Sequence, residues 1–113
     1  MGTEQNEHIE VIMGLIIYGG NAKSLSMEAI YAAKEGNFDV AEEKLSDADD
    51  ALGNAHKSQT NLLTQEASGD SVEISLLLVH GQDHLMNAIT FKDLAQEIID
   101  VYRKLDGEDV SAE

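Results

Sequence analysis

The chain has 113 residues, no cysteine, and 7 Lys+Arg against 22 Asp+Glu, a formal charge of -15. That length fits one domain with a modest core and makes burial by self-association a reasonable expectation, while the charge repels nucleic-acid phosphates and anionic headgroups and favours basic protein partners. Lack of thiols removes disulfides and thiolate metal sites and is compatible with a reducing cytosol.

The longest apolar runs, LIIY at Leu15–Tyr18 and LLLV at Leu76–Val79, fall far short of the roughly 20 residues that span a bilayer. The opening MGTEQNEH lacks the basic n-region and cleavage site of a signal peptide, and it lacks the Ser/Thr that a myristoylation motif wants. A cytoplasmic protein with no membrane insertion and no nucleic-acid partner is expected.

Proline is absent, so only glycines punctuate the helical composition. Ile9, Ile12, Ile16, Leu25, Ala29 and Ala32 recur at helical spacing, which predicts a first helix over roughly 6–35 that stops at Gly36 as its C′ residue. Gly19-Gly20 inside it costs helix propensity and points either to close packing against a neighbour or to a kink. A second helix over roughly 38–67 is capped by Asn37 or Asp39, with Glu42 three residues beyond Asp39 in capping-box register. Its stripe of Ala41, Leu45, Ala48, Leu52, Ala55, Leu62 and Leu63 is rich in small residues, so backbones can approach closely. Gly69 ends it, and Asp70 with Glu73 offers the same capping pattern for a third helix over roughly 71–105. VEISLLLV could pass for a strand, but spacings of three and four continue through Leu85, Met86, Ile89, Leu94, Ile98, Val101 and Leu105, much longer than an ordinary strand. The expected fold is all-α, an antiparallel up-down-up three-helix bundle forming one domain over 1–113, with a polar tail at 106–113.

The third helix carries the chemistry. Its apolar run is interrupted by HGQDH, His80 to His84. At about 100° per residue His80, Asp83 and His84 share one face. Asp83 falls on the stripe Val72, Leu76, Val79, Met86, Thr90, a seam position where an isolated carboxylate costs several kcal/mol unless it is protonated, paired or bound to a cation. A threefold axis along this helix would bring three Asp83 carboxylates onto one hard divalent cation such as Mg²⁺. A partly exposed Asp83 at a groove edge is the simpler alternative. His80 is the candidate nucleophile: neutral imidazole, with an ordinary pKa of about 6.5, accepts a phosphoryl group on one ring nitrogen. His84 could donate to phosphoryl oxygens or orient the ring. Gln82 projects almost opposite His80 and would reach a phosphoryl group only across a subunit interface. HGQDH also fits an inverted zincin pattern with Asp for Glu, which leaves a zinc hydrolase open, and a metal-binding scaffold is a third reading.

Four blocks, GLIIYGGNAKSLSMEAI, AAKEGNFDVAEEKL, NAHKSQTNLL and LLLVHGQDHLMNA, together resemble the enzyme IIA component of the lactose/cellobiose class of the sugar phosphotransferase system. The resemblance runs from about Glu10 to Leu105 and is carried most specifically by the family's V-H-A-Q-D-H-L-M, with Gly81 standing where the family usually has Ala. It implies a homotrimer of three-helix subunits in which His80 is phosphorylated by the histidine-containing phosphocarrier protein. His80 then passes the group to a cysteine of enzyme IIB, which serves sugar entry through the membrane enzyme IIC. It also implies one divalent metal on Asp83 at the trimer axis, with Gln82 and His84 close to the transferred group. Gly81 is expected to loosen the helix beside the nucleophile. His56 and Gln59, of the block AHxxQT, are expected to pack helices, and His8 to be merely exposed.

Overall fold

A computed structural model describes residues 2–107, with side chains from His8 onward; most of the expected polar tail, 108–113, lies outside the described residues. Three helices follow in order, α1 (Gly2–Lys34), α2 (Phe38–Ala67) and α3 (Leu76–Leu105). They form a rod of about 59 × 22 × 19 Å in which α1 packs extensively on both others while α2 and α3 touch each other less. Among the described residues no helix is long and apolar enough to cross a membrane.

Local chemistry explains each boundary. Gly36 and Gly69 adopt positive φ, 77° and 94°. Each closes a Schellman motif: Asn37 N–H donates to the Ala32 carbonyl (2.8 Å) and Gly36 N–H to Ala33 (3.0 Å), and Asp70 N–H donates to Gln65 (3.1 Å) and Gly69 N–H to Glu66 (3.1 Å). At the start of α2, Asn37 is the N-cap residue but its side chain makes no capping bond, and Asp39 lies in the first turn. The capping box expected at Asp39 and Glu42 is therefore not the device that starts this helix.

The start of α3 differs from the sequence expectation by five residues. Residues 70–75 are irregular, and the N-cap is Ser75, extended at φ -134° and ψ 164°, whose hydroxyl accepts from Leu78 N–H at 3.1 Å. Val72 packs onto the cluster around Leu15 and Leu85, so this segment crosses the end of the bundle before the helix begins. Asp70 and Glu73 satisfy a local pattern that this tertiary contact overrides. Ser75→Ala should lower unfolding stability by about 1 kcal/mol, read as a lower urea midpoint with unchanged slope.

The core has three layers along the rod. Leu15, Ala55, Leu62 and Leu85 fill one end, Ala22, Ala48, Ala51 and Ala88 the waist, and Ala29, Ile30, Ala33, Phe38, Ala41, Leu45, Ala95 and Ile99 the other end. The alanine waist bears out the close approach expected of α2. Ser26, fully buried, donates to the Ala22 carbonyl one turn back at 2.8 Å, so its hydroxyl is satisfied within α1.

On α3 the core side is Gly81, Leu85, Ala88, Ala95 and Ile99. The residues that the sequence joined into one stripe divide between two faces. Leu76, Val79, Met86, Leu94, Val101 and Leu105 are 53–86% exposed. One chain thus leaves a second apolar face of α3 in water, beyond what a single bundle can cover.

Candidate functional site

His80 and His84 stand one turn apart near the N-terminal end of α3, so their rings meet on one face of the helix. His80 is exposed and His84 half-buried. Their Nε2 atoms lie 3.1 Å apart, and the rings meet edge to face with centroids 4.4 Å apart and an interplanar angle of 78°. An N–H···N bond requires one donor and one acceptor, so this contact calls for a proton on one Nε2 and a lone pair on the other. The arrangement therefore presents a nucleophilic lone pair with an N–H donor beside it.

What seats the pair is the backbone beneath it. Gly81 is buried, and a Cβ there would lie 3.3 Å from the Ile12 carbonyl oxygen, 3.4 Å from Ile12 Cγ2 and 3.4 Å from Leu15 Cβ. The missing side chain of Gly81 lets α3 lie close against α1, and α3 runs unbroken through it. On the opposite side of that contact a Cβ on Gly19 would lie 3.2 Å from the carbonyl carbon and oxygen of His84, whereas Gly20 faces open space. Of the two readings offered for Gly19-Gly20, close packing holds at Gly19, and α1 runs unbroken through both.

Asp83 is exposed, between the exposed Val79 and Met86, and its Oδ1 accepts from Asn87 Nδ2 at 3.0 Å. It lies on the outer apolar face of α3, so within one chain its carboxylate keeps its water. Among the described residues no group of three or more His, Cys, Asp or Glu side chains could hold a metal. A zincin-type ligand set is therefore not assembled among the described residues. A hard cation at Asp83 would have to draw its other oxygen ligands from further copies or from water.

Gln82 turns away from the histidines toward α2, where Gln59 Nε2 donates to its Oε1 at 2.6 Å. The structure does not bring Gln82 to His80 within one chain. Gln59 does hold two helices together, as expected, but His56 does not: it is exposed and lines a groove of about 510 Å³ between α2 and α3 with Leu52, Lys57, Thr60, Asn61 and Ile89. His8, expected to be merely exposed, is half-buried, its Nε2 3.2 Å from Gln65 Oε1. Asn87 escaped the sequence reading although its position four residues after Asp83 was a usable signal. The Gln59–Gln82 pair had no such signal, because 23 residues separate its members.

Apolar groups lie near this end of α3. Ile9, Met13 and Ile17, at spacings of four along α1, are 49%, 38% and 54% exposed, and Ile9 shares a shallow groove with Leu77, one turn before Gly81.

Residues 10–103 match the family model described as the phosphotransferase system lactose/cellobiose-specific IIA subunit. The lichenan-specific phosphotransferase enzyme IIA component of Bacillus subtilis is 52% identical over 101 residues, covering 88% of this chain and 92% of that protein. The crystal structure of the cellobiose-specific enzyme IIA of Bacillus anthracis superimposes with a TM-score of 0.88 at 46% identity, covering 96% of each chain. The chitobiose IIA of Escherichia coli, solved in solution as a complex with HPr, gives 0.77 at 39% identity over 88% of this chain and 96% of that one.

Proposed function

We propose that this chain, which belongs to the lactose/cellobiose-specific IIA family of the sugar phosphotransferase system, carries a phosphoryl group on His80 between two cytoplasmic proteins. The donor is the histidine-containing phosphocarrier protein. The acceptor is a cysteine of enzyme IIB, which supplies the membrane enzyme IIC during uptake of a β-linked disaccharide. Support comes from the exposed His80 ring with a second imidazole 3.1 Å from its Nε2, and from the E. coli relative solved with HPr.

With His84 as donor, His80 accepts at Nε2 and holds its own proton on Nδ1. The Nε2 lone pair attacks phosphorus in line as the P–N bond of the donor's phosphohistidine breaks, and the displaced electron pair returns to the donor imidazole. His84 Nε2–H, released from His80, turns to a phosphoryl oxygen. In the second step the IIB thiolate attacks phosphorus, a P–S bond forms, and the His80 P–N bond breaks. Positioning and charge stabilisation supply most of the rate. A chain of charge -15 repels an incoming phosphate, so docking through Ile9, Met13, Ile17 and Leu77 substitutes apolar burial for charge attraction.

The working unit is a homotrimer with α3 along the axis. It buries the exposed stripe Leu76, Val79, Met86, Leu94, Val101 and Leu105, which a single chain leaves in water. Asp83 lies on this stripe, oriented by Asn87. Three such carboxylates suit one hard divalent cation of the size of Mg²⁺, with waters completing the shell. The cation would supply positive charge to offset the clustered carboxylates. Gln82, tied to Gln59, positions α2 against α3 and touches a phosphoryl group only if a neighbouring subunit brings one to it.

The test is incubation with the phosphorylated carrier, followed by mapping of acid-labile phosphate. One phosphate on His80 that is discharged by enzyme IIB is the expected result. Phosphate on another residue, or none, would overturn the assignment.

A further inference from the structure

Gly19 and Gly20 are neighbours in sequence and opposites in surroundings. A Cβ on Gly20 would meet nothing within 4 Å. On Gly19 it would lie 3.2 Å from His84 C, 3.2 Å from His84 O and 3.4 Å from Leu85 N. All three are main-chain atoms of a helix, which cannot rotate aside as a side chain can, so any side chain at this position displaces α3 from α1 at the level of His84.

That displacement reaches the candidate site directly. His84 is held between two anchors, Gly81 pressed on Ile12 and Leu85 fully buried. Its Nε2 lies 3.1 Å from that of His80, near the long limit of an N–H hydrogen bond, so a shift of a few tenths of an ångström breaks the pairing. Of the two histidines His84 is the half-buried one, and it is the one whose backbone Gly19 touches.

From this contact we infer that Gly19 is a positioning residue for the His80–His84 pair. By carrying no side chain it lets α1 fix the height of His84, and His84 in turn fixes the tautomer of His80. The inference rests on the reading of His80 as phosphoryl acceptor, but its main measurement requires no phosphoryl donor.

The experiment compares Gly19→Ala with Gly20→Ala in the full chain, using ¹⁵N-labelled histidine at one fixed pH where both rings are neutral. In the wild type, His80 and His84 should show complementary tautomers, one protonated on Nε2 and the other on Nδ1. Gly20→Ala should keep that pattern and the wild-type rate of labelling by the phosphorylated carrier. Gly19→Ala should lose the pattern and slow labelling at least ten-fold, with helix content retained by circular dichroism. Should Gly19→Ala fail to fold, the same spectra are recorded in a stabilising osmolyte such as sucrose, where the refolded variant is expected to show the same loss of the pattern. Complementary tautomers kept in the Gly19 variant, lost equally in the Gly20 variant, or absent from the wild type would each overturn the inference. Loss of the pattern with no phosphate on His80 in any variant would instead sink the phosphocarrier reading and leave the positioning contact standing.

Discussion

His80→Gln is expected to reduce phosphoryl labelling to background while leaving the bundle and its assembly intact. The ring is exposed and contributes nothing to the three core layers, so its removal should change stability by no more than about 0.5 kcal/mol. Glutamine keeps a polar amide near the same volume but offers no basic nitrogen to phosphorus. The informative companion is His84→Gln, which leaves the nucleophile and removes the neighbouring N–H 3.1 Å away. Loss of one donor to the developing charge costs about a hundred-fold, the lower end of the usual range, so slow labelling on His80 should persist. Labelling of the His80 variant at His84 would reverse the two roles, because only these two imidazoles share the site. Retained helical signal and unchanged sedimentation in both variants are needed for the comparison to report on chemistry.

Much of this architecture can be read from the residues. Gly36 and Gly69 mark helix ends because only glycine adopts their positive φ without cost, and both close the expected motifs. α2 occupies the span expected for it, Phe38–Ala67. The start of α3 was misplaced because Asp70 and Glu73 satisfy a capping pattern that Val72, packed on the cluster at the end of the bundle, overrides. Periodicity located the apolar residues of α3 but could not divide them between an inner and an outer face, since spacings of three and four serve both. The histidine pair was legible from its one-turn spacing. The helix contact beneath it, Gly19 on His84 and Gly81 on Ile12, was only half legible: glycine inside a helix signals close packing or a bend, and the partner that decides between them lies some 65 residues away in the case of Gly19.

Asp83→Leu should abolish divalent-cation binding and leave the trimer as stable as before or more so. In one chain the carboxylate sits between Val79 and Met86 on an apolar stripe, with Asn87 as its hydrogen-bond partner. Three copies brought to an axis repel one another and surrender hydration, and a cation repays this only in part. Leucine removes the repulsion and adds about 1.5–3 kcal/mol of apolar burial per chain if fully covered. Metal analysis should find one cation per three wild-type chains and none in the variant. Sedimentation should show a trimer for both. A chelator should weaken only the wild type, because only there does stripping the cation leave three carboxylates facing one another. If the variant falls apart into monomers, the cation, and not the packing of the stripe, holds the assembly together. If it keeps its metal, Asp83 does not face the axis, and the outer face of α3 must be covered in some other way.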